Sequence, residues 1–153
     1  MIRIDLDESA PAFAKAMSHL DRAMVRVADE AGLDPVLREL VRARASQLNG
    51  CAYCVDMHTK DARAGGETEQ RLYALPVWRE TSFFTEQECA ALEFTEVVTR
   101  LTETHVPDEA YQAAAKHFSE AEMGALISLI VTINAWNMIG VSTRAWEPGS
   151  YNA

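Results

Sequence analysis

Cys51 and Cys54 flank Ala52 and Tyr53, and His58 follows four residues after the second cysteine. Two thiols and an imidazole at this spacing are the parts of a thiol oxidoreductase. Only a thiolate attacks a peroxide or a disulfide, and a free thiol is mostly protonated near neutral pH. His58 can take the proton. Whichever sulfur is oxidised to sulfenic acid, the other is near enough to condense with it into a disulfide, which also guards against over-oxidation.

On a helix turning by about 100° per residue, Cys51, Cys54, Val55, His58 and Ala62 share one sector, whereas Asp56 and Lys60 point away. The reactive groups are therefore expected to be half-buried, where desolvation and a neighbouring base set their pKa values. The spacing leaves the attacking sulfur open. His58 lies at i+4 from Cys54, where helical side chains meet, but Cys51 lies in the first turn, where backbone N–H groups best stabilise an anion. Two rival readings attach to the same residues. A C-x-x-C pair can hold zinc, but only His58 joins it locally and a structural site needs four ligands, so Cys89 or a remote histidine would have to complete the set. The pair could also be inert buried cysteines, since cysteine packs as a small hydrophobe.

These groups must be positioned by helices. Phe13, Met17, Leu20, Met24 and Val27 form a helix-period stripe, which predicts a helix from about Pro11 to Glu30. Gly32 stops it, and Asp34-Pro35 supplies the cap and first residue of a helix to Leu48. After the turn Asn49-Gly50, a third helix starts near Cys51 and ends at Gly65-Gly66, placing the dithiol at a helix start. A short helix follows from Glu69 to Leu75, ended by Pro76, and the stretch from Val77 to Phe84 reads as a connecting loop carrying Trp78. Thr85 with Glu88 and Ser119 with Glu122 match capping boxes, and Pro107-Asp108 opens a short helix between them. Phe94, Val97, Val98 and Leu101 read as the core face of the helix after Thr85. The apolar run Met123 to Val141 is long enough to span a membrane, but Ser128, Thr132, Asn134 and Asn137 favour a buried core or subunit-interface helix. No strand pattern or linker interrupts the series. The fold class is all-α, one domain over residues 1–153, a bundle of about six or seven helices.

Composition narrows the partners. With 14 Lys and Arg against 23 Asp and Glu, the net charge of −9 repels nucleic acid phosphates and anionic membranes. The acidic start with Asp5, Asp7 and Glu8 does not read as a secretion signal, and three cysteines are too few for a disulfide framework, so a cytoplasmic protein is expected. No flavin or nicotinamide fingerprint is present, so no cofactor is expected and reducing equivalents should arrive from another protein or a small thiol. Cys89 reads as structural, and His19, His105 and His117 as surface or capping residues. Trp78 and Trp136 read as core or interface aromatics able to line a pocket.

The stretch from Arg38 to Gly66, RELVRARASQLNGCAYCVDMHTKDARAGG, resembles the alkyl hydroperoxidase D-like core of the carboxymuconolactone decarboxylase family. Glu39, Cys51, Cys54 and His58 fall on its pattern without a gap. Trp78, the segment FTEQECAAL from Phe84 to Leu92, and Ile133 to Asn137 look like the family's later helices. The resemblance implies a homo-oligomer, a trimer or hexamer, that reduces hydroperoxides with electrons from a thiol or protein disulfide reductant. It implies Cys54 as the sulfur forming sulfenic acid, Cys51 as its resolving partner, and Glu39 with His58 as a proton relay. On periodicity alone Glu39 would be a surface residue, because the stripe Leu37, Leu40, Val41 and Leu48 lies almost opposite. Ala43 and Ser46, at i+4 and i+7 from it, would let a neighbouring helix approach that second face. Tyr53 stands where the best-known hydroperoxidase has a second histidine, and Met138 where many relatives have arginine. A disulfide-exchanging adaptor or sensor for a partner peroxiredoxin is the alternative activity, and the lactone decarboxylase branch does not rely on this cysteine-histidine set.

Overall fold

The computed structural model describes residues 2–153. Among them are nine α-helices and one 3₁₀ helix, and no strand. In chain order they are α1 (Leu6–Ser9), α2 (Pro11–Glu30), α3 (Pro35–Asn49), α4 (Ala52–Ala64), α5 (Glu69–Ala74), the 3₁₀ helix Leu75–Glu80, α6 (Glu86–Thr99), α7 (Leu101–Thr104), α8 (Asp108–Ala115) and α9 (Glu120–Thr143). Seven of the nine are the helices that periodicity and caps predict; α1 and α7 are extra single turns.

The starts follow local chemistry. Asp34 accepts a hydrogen bond from the Leu37 N–H at 2.8 Å, with Pro35 in the first turn. Both capping boxes form, at Thr85 with Glu88 and at Ser119 with Glu122. Gly50 closes α3 with φ of 67°, a left-handed conformation that costs other residues steric strain, and it turns the chain directly into α4.

The helix α3 is the spine. Leu37 and Val41 join one core with Met24, Phe94, Leu126 and Ile130, while Leu40 and Ala43 join a second with Ala62, Leu75, Trp78 and Leu92. The apolar helix α9 is long and apolar enough to cross a membrane by length and composition. Here it packs against α2, α3, α4, α6 and α8 through residues such as Leu126, Leu129, Ile130 and Ile133, while Ile127, Val131, Met138 and Val141 of the same helix are exposed.

The α2 stripe forms the predicted helix, and within it Phe13, Leu20 and Val27 are exposed beside the buried line through Met17, Met24 and Ala28. Three expectations need correction. The first part of the predicted loop is a 3₁₀ helix, Leu75–Glu80, kinked at Val77 and anchored by the buried Leu75 and Trp78, and only the chain beyond Glu80 is irregular up to Phe84. The α6 stripe ends early, since the helix stops at Thr99 and Leu101 is exposed in α7. Cys51, Cys54 and His58 are buried rather than half-buried.

A buried carboxylate ties three elements together. Glu96 of α6 accepts hydrogen bonds from Trp78 Nε1 (2.9 Å), Arg44 Nε (2.8 Å) and an Arg79 guanidinium nitrogen (2.7 Å). Burial alone would raise its pKa, and these donors outweigh burial and hold the carboxyl below its ordinary value. A lowered folded-state pKa means the stabilisation is present above the ordinary carboxylate range and is lost as pH falls through the folded value. Glu96→Gln should therefore lower the unfolding free energy by roughly 3 kcal/mol at neutral pH, by leaving the Arg44 charge uncompensated. Urea titration checks this, and the gap from the parent protein should shrink in acid.

Candidate active site

Polar side chains of α9 fix the turn that carries the dithiol. The Asn49 amide donates to Asn134 Oδ1 (2.8 Å) and Asn137 Oδ1 (3.0 Å), and Asn137 donates to Ser46 Oγ (3.0 Å). Asn137 is fully buried, so each unmade bond would carry a desolvation cost of about 1–3 kcal/mol. The end of α3, and with it Gly50 and Cys51, is thereby held at one height along α9.

Cys51 is the N-cap of α4, and its Sγ accepts from the Cys54 N–H at 3.4 Å. Cys51 and Cys54 are joined as a disulfide, and both are buried, at 3% and 4% exposure. His58, one turn after Cys54, is also buried. Its Nδ1 lies 2.8 Å from Glu39 Oε2 on α3. The close approach is possible because Ala43 and Ser46 on that face of α3 are fully buried small residues.

Glu39 is further paired with Arg42 on its own helix. Burial pushes the Glu39 pKa up, but the hydrogen bond to His58 and the charge of Arg42 outweigh it, and the carboxyl is held below its ordinary value. An ionised Glu39 accepts the proton on Nδ1 of a neutral imidazole, which fixes the tautomer and leaves Nε2 as the basic nitrogen. A carboxylate that orients a histidine in this way also stabilises the imidazolium formed when the ring takes a proton. The structure thus brings all four sequence-derived site residues, Glu39, Cys51, Cys54 and His58, to the α3–α4 hairpin.

The carboxymuconolactone decarboxylase family profile matches residues 11–97. The chain belongs to that family. The uncharacterised protein YdfG of Bacillus subtilis is 40% identical over 140 residues, which is 92% of each chain. A crystal structure of a putative antioxidant defence protein AhpD from Agrobacterium tumefaciens, of unknown function, superposes with a TM-score of 0.88 at 38% identity, covering 97% of this chain and 99% of that one. The debrominase Bmp8, solved with 2,3,4-tribromopyrrole, shares the fold at a TM-score of 0.75 and 18% identity, over 94% of this chain and 74% of that one.

Within this family member, several residues join the site that sequence reasoning missed. Asp61 places a carboxylate oxygen within 4.8 Å of donor atoms of both Glu39 and His58. Tyr151 donates to Asp61 Oδ1 at 2.7 Å, Lys60 Nζ donates to the Tyr151 carbonyl (2.8 Å), and the Gly149 N–H donates to Asp56 (3.1 Å). These bonds strap the C-terminal segment along α4. Trp146 in the strap packs on Tyr53 and Trp136, with ring centroids 5.5 and 5.9 Å apart. Arg42 and Asp61 had a signal, since each stands three residues from a motif member on the same helix. Trp146 and Tyr151 had none, because they approach from irregular chain about ninety residues away.

A cavity of about 430 Å³ opens beside His58, lined chiefly by Met24, Met57, Ile133 and Trp136, with Asp21, Arg42 and Asp61 as its charged residues. The other sequence candidates lie elsewhere. Cys89 packs against the second core, where burial and then the charge of Glu88 push its thiol pKa up, so it lacks the character of a reactive thiolate. His19, His105 and His117 are exposed, and Trp78 serves the Glu96 network.

The strap has a spectroscopic signature. The hydrogen bond to Asp61, then burial, raise the Tyr151 pKa from 10.0 to about 12. A raised phenol pKa means the folded chain holds the proton longer, so this contribution to stability is present below 10.0 and is lost as pH rises through about 12. Ultraviolet titration of tyrosinate should show a component near that upper value, absent from Tyr151→Phe.

Proposed function

We propose that this protein is a thiol-dependent peroxidase that reduces organic hydroperoxides through the Cys51–Cys54 pair. The observation that carries the reading is the buried dithiol, one helical turn from a histidine whose Nδ1 is held by a buried, ionised glutamate. In the reduced protein Cys54 passes its proton to His58 Nε2, and Glu39 stabilises the imidazolium. The Cys54 thiolate attacks the terminal peroxide oxygen. The O–O bond breaks, sulfenic acid forms on Cys54, and His58 returns the proton to the leaving alkoxide. Cys51 then attacks the sulfenic sulfur, water leaves, and the disulfide forms. Two electrons have moved from the dithiol to the peroxide, and a thiol reductant must restore them. A reducing cytoplasm suits that demand.

The cavity beside His58 supports an organic rather than a mineral peroxide, since most of its wall is apolar. Its size and the ring of Trp136 suit a compact aromatic or branched alkyl group. Cumene hydroperoxide is the natural first substrate to assay, with dithiothreitol as reductant. Cys54→Ser should abolish turnover. His58→Gln and Glu39→Gln should each lower it by about 10²–10⁴ through loss of general acid–base catalysis, with the helical circular dichroism intact. Peroxide consumption that survives Cys54→Ser at the parent rate would refute the reading.

The active form in this proposal is a homo-oligomer. Phe13, Leu20 and Val27 on α2, and Val131 and Met138 on α9, are large apolar side chains left exposed, Met138 at 72%. Two packed helices that both present such residues suit cover by further copies of the chain. Light scattering behind size exclusion should give a trimer or hexamer, and the double variant Leu20→Glu with Met138→Glu should run as a smaller species.

A further inference from the structure

The dithiol lies between two unlike cavities. The inner one, beside His58, is the apolar cavity already described. A second, of about 780 Å³, lies on the other side of Trp146 and is bordered by Gly50, Cys51, Gly140, Arg144, Glu147 and Ser150. Tyr53 and Trp146 line both, so the strap is the partition between them. The two cysteines are not equivalent toward this space. Cys51 borders the outer cavity, whereas Cys54 borders neither.

Gly140 sets how closely this wall is built. A Cβ at that position would stand 3.1 Å from Cys51 Sγ and 3.1 Å from the Trp146 ring. A side chain at residue 140 would have to push the Trp146 ring or the sulfur back by a few tenths of an ångström, so glycine lets helix α9, the strap and the disulfide pack closely.

We infer that the outer cavity is the entry site for a low-molecular-weight thiol reductant, and that this thiol attacks Cys51 Sγ. The inference rests on the dithiol cycle proposed above. Thiol–disulfide exchange needs the incoming thiolate to reach the sulfur it will bond, and Cys51 is the cysteine of the pair that borders the outer cavity. A bond forms between the reductant sulfur and Cys51 Sγ as the Cys51–Cys54 bond breaks, and the electron pair leaves on Cys54. That thiolate emerges in the first turn of α4, where the helix N-terminus favours an anion, and one turn from His58, which supplies the proton that returns it to the thiol. A second thiol then attacks the reductant sulfur, releasing Cys51 as a thiol and the reductant as its own disulfide. Two electrons enter and the dithiol is restored. Arg144 and Glu147 border this outer cavity with one charge of each sign.

The test uses the oxidised full-length protein and 2-mercaptoethanol as the probe. The reaction is quenched with iodoacetamide within the first few per cent of reduction, and the adducted sulfur is located by fragmentation of the peptide carrying both cysteines. The mixed disulfide should sit on Cys51, with carbamidomethyl on Cys54, in at least tenfold excess over the reverse isomer. An excess on Cys54, equal labelling, or no mixed disulfide at either sulfur overturns the inference. The isomer ratio is read without any peroxide, so a failure here leaves the peroxidase reading standing, and a protein that turns over no peroxide still yields the ratio.

Discussion

The hydrogen bond between Glu39 and His58 joins two consecutive helices across 2.8 Å, and most of the site is arranged around it. A buried carboxylate is costly unless it is compensated, and here an imidazole and the Arg42 guanidinium supply the compensation. In return the ring is held in one tautomer, with its basic nitrogen free. Small residues on one face of α3 allow the contact, and a left-handed glycine makes the turn that brings α4 back alongside. Neither helix could slide along the other without breaking the pair.

The sequence made the helices legible because each carries its own signals. Asp34-Pro35, Thr85 with Glu88, and Ser119 with Glu122 mark starts that depend on atoms within one turn. The dithiol and His58 were legible for the same reason, since they share one face of one helix. Glu39 was a different case. Periodicity along α3 placed it opposite the apolar stripe, and only the family spacing selected it, because its partner lies on another helix. Trp146 and Tyr151 were illegible altogether, since no local pattern reports where an irregular C-terminal segment will lie. The exposed line Phe13, Leu20 and Val27 shows the converse limit: apolar periodicity marks a face that excludes water, without saying whether this chain or another copy covers it.

The parts far from the sulfurs hold the site in register. Asn134 and Asn137 make α9 a polar ruler for the end of α3 inside an otherwise apolar helix. Glu96 fastens the 3₁₀ helix and α6 to α3 from the other side. The C-terminal strap adds a carboxylate–phenol pair beside the Glu39–His58 contact and a tryptophan wall between two cavities. Stability and chemistry meet in these contacts, because a buried polar network that is fully paired permits one arrangement and penalises others.

The central claim is that the Glu39–His58 contact makes Cys54 a nucleophile near neutral pH. Its most direct test is the pH dependence of the rate at which iodoacetamide alkylates Cys54 in the reduced protein, compared between the parent chain and Glu39→Gln. Removing the carboxylate takes away the anion that stabilises imidazolium, so the thiolate should become harder to form. The account predicts that the inflection of the variant moves to higher pH, with slower alkylation at neutral pH. Superimposable profiles for the two proteins would contradict it.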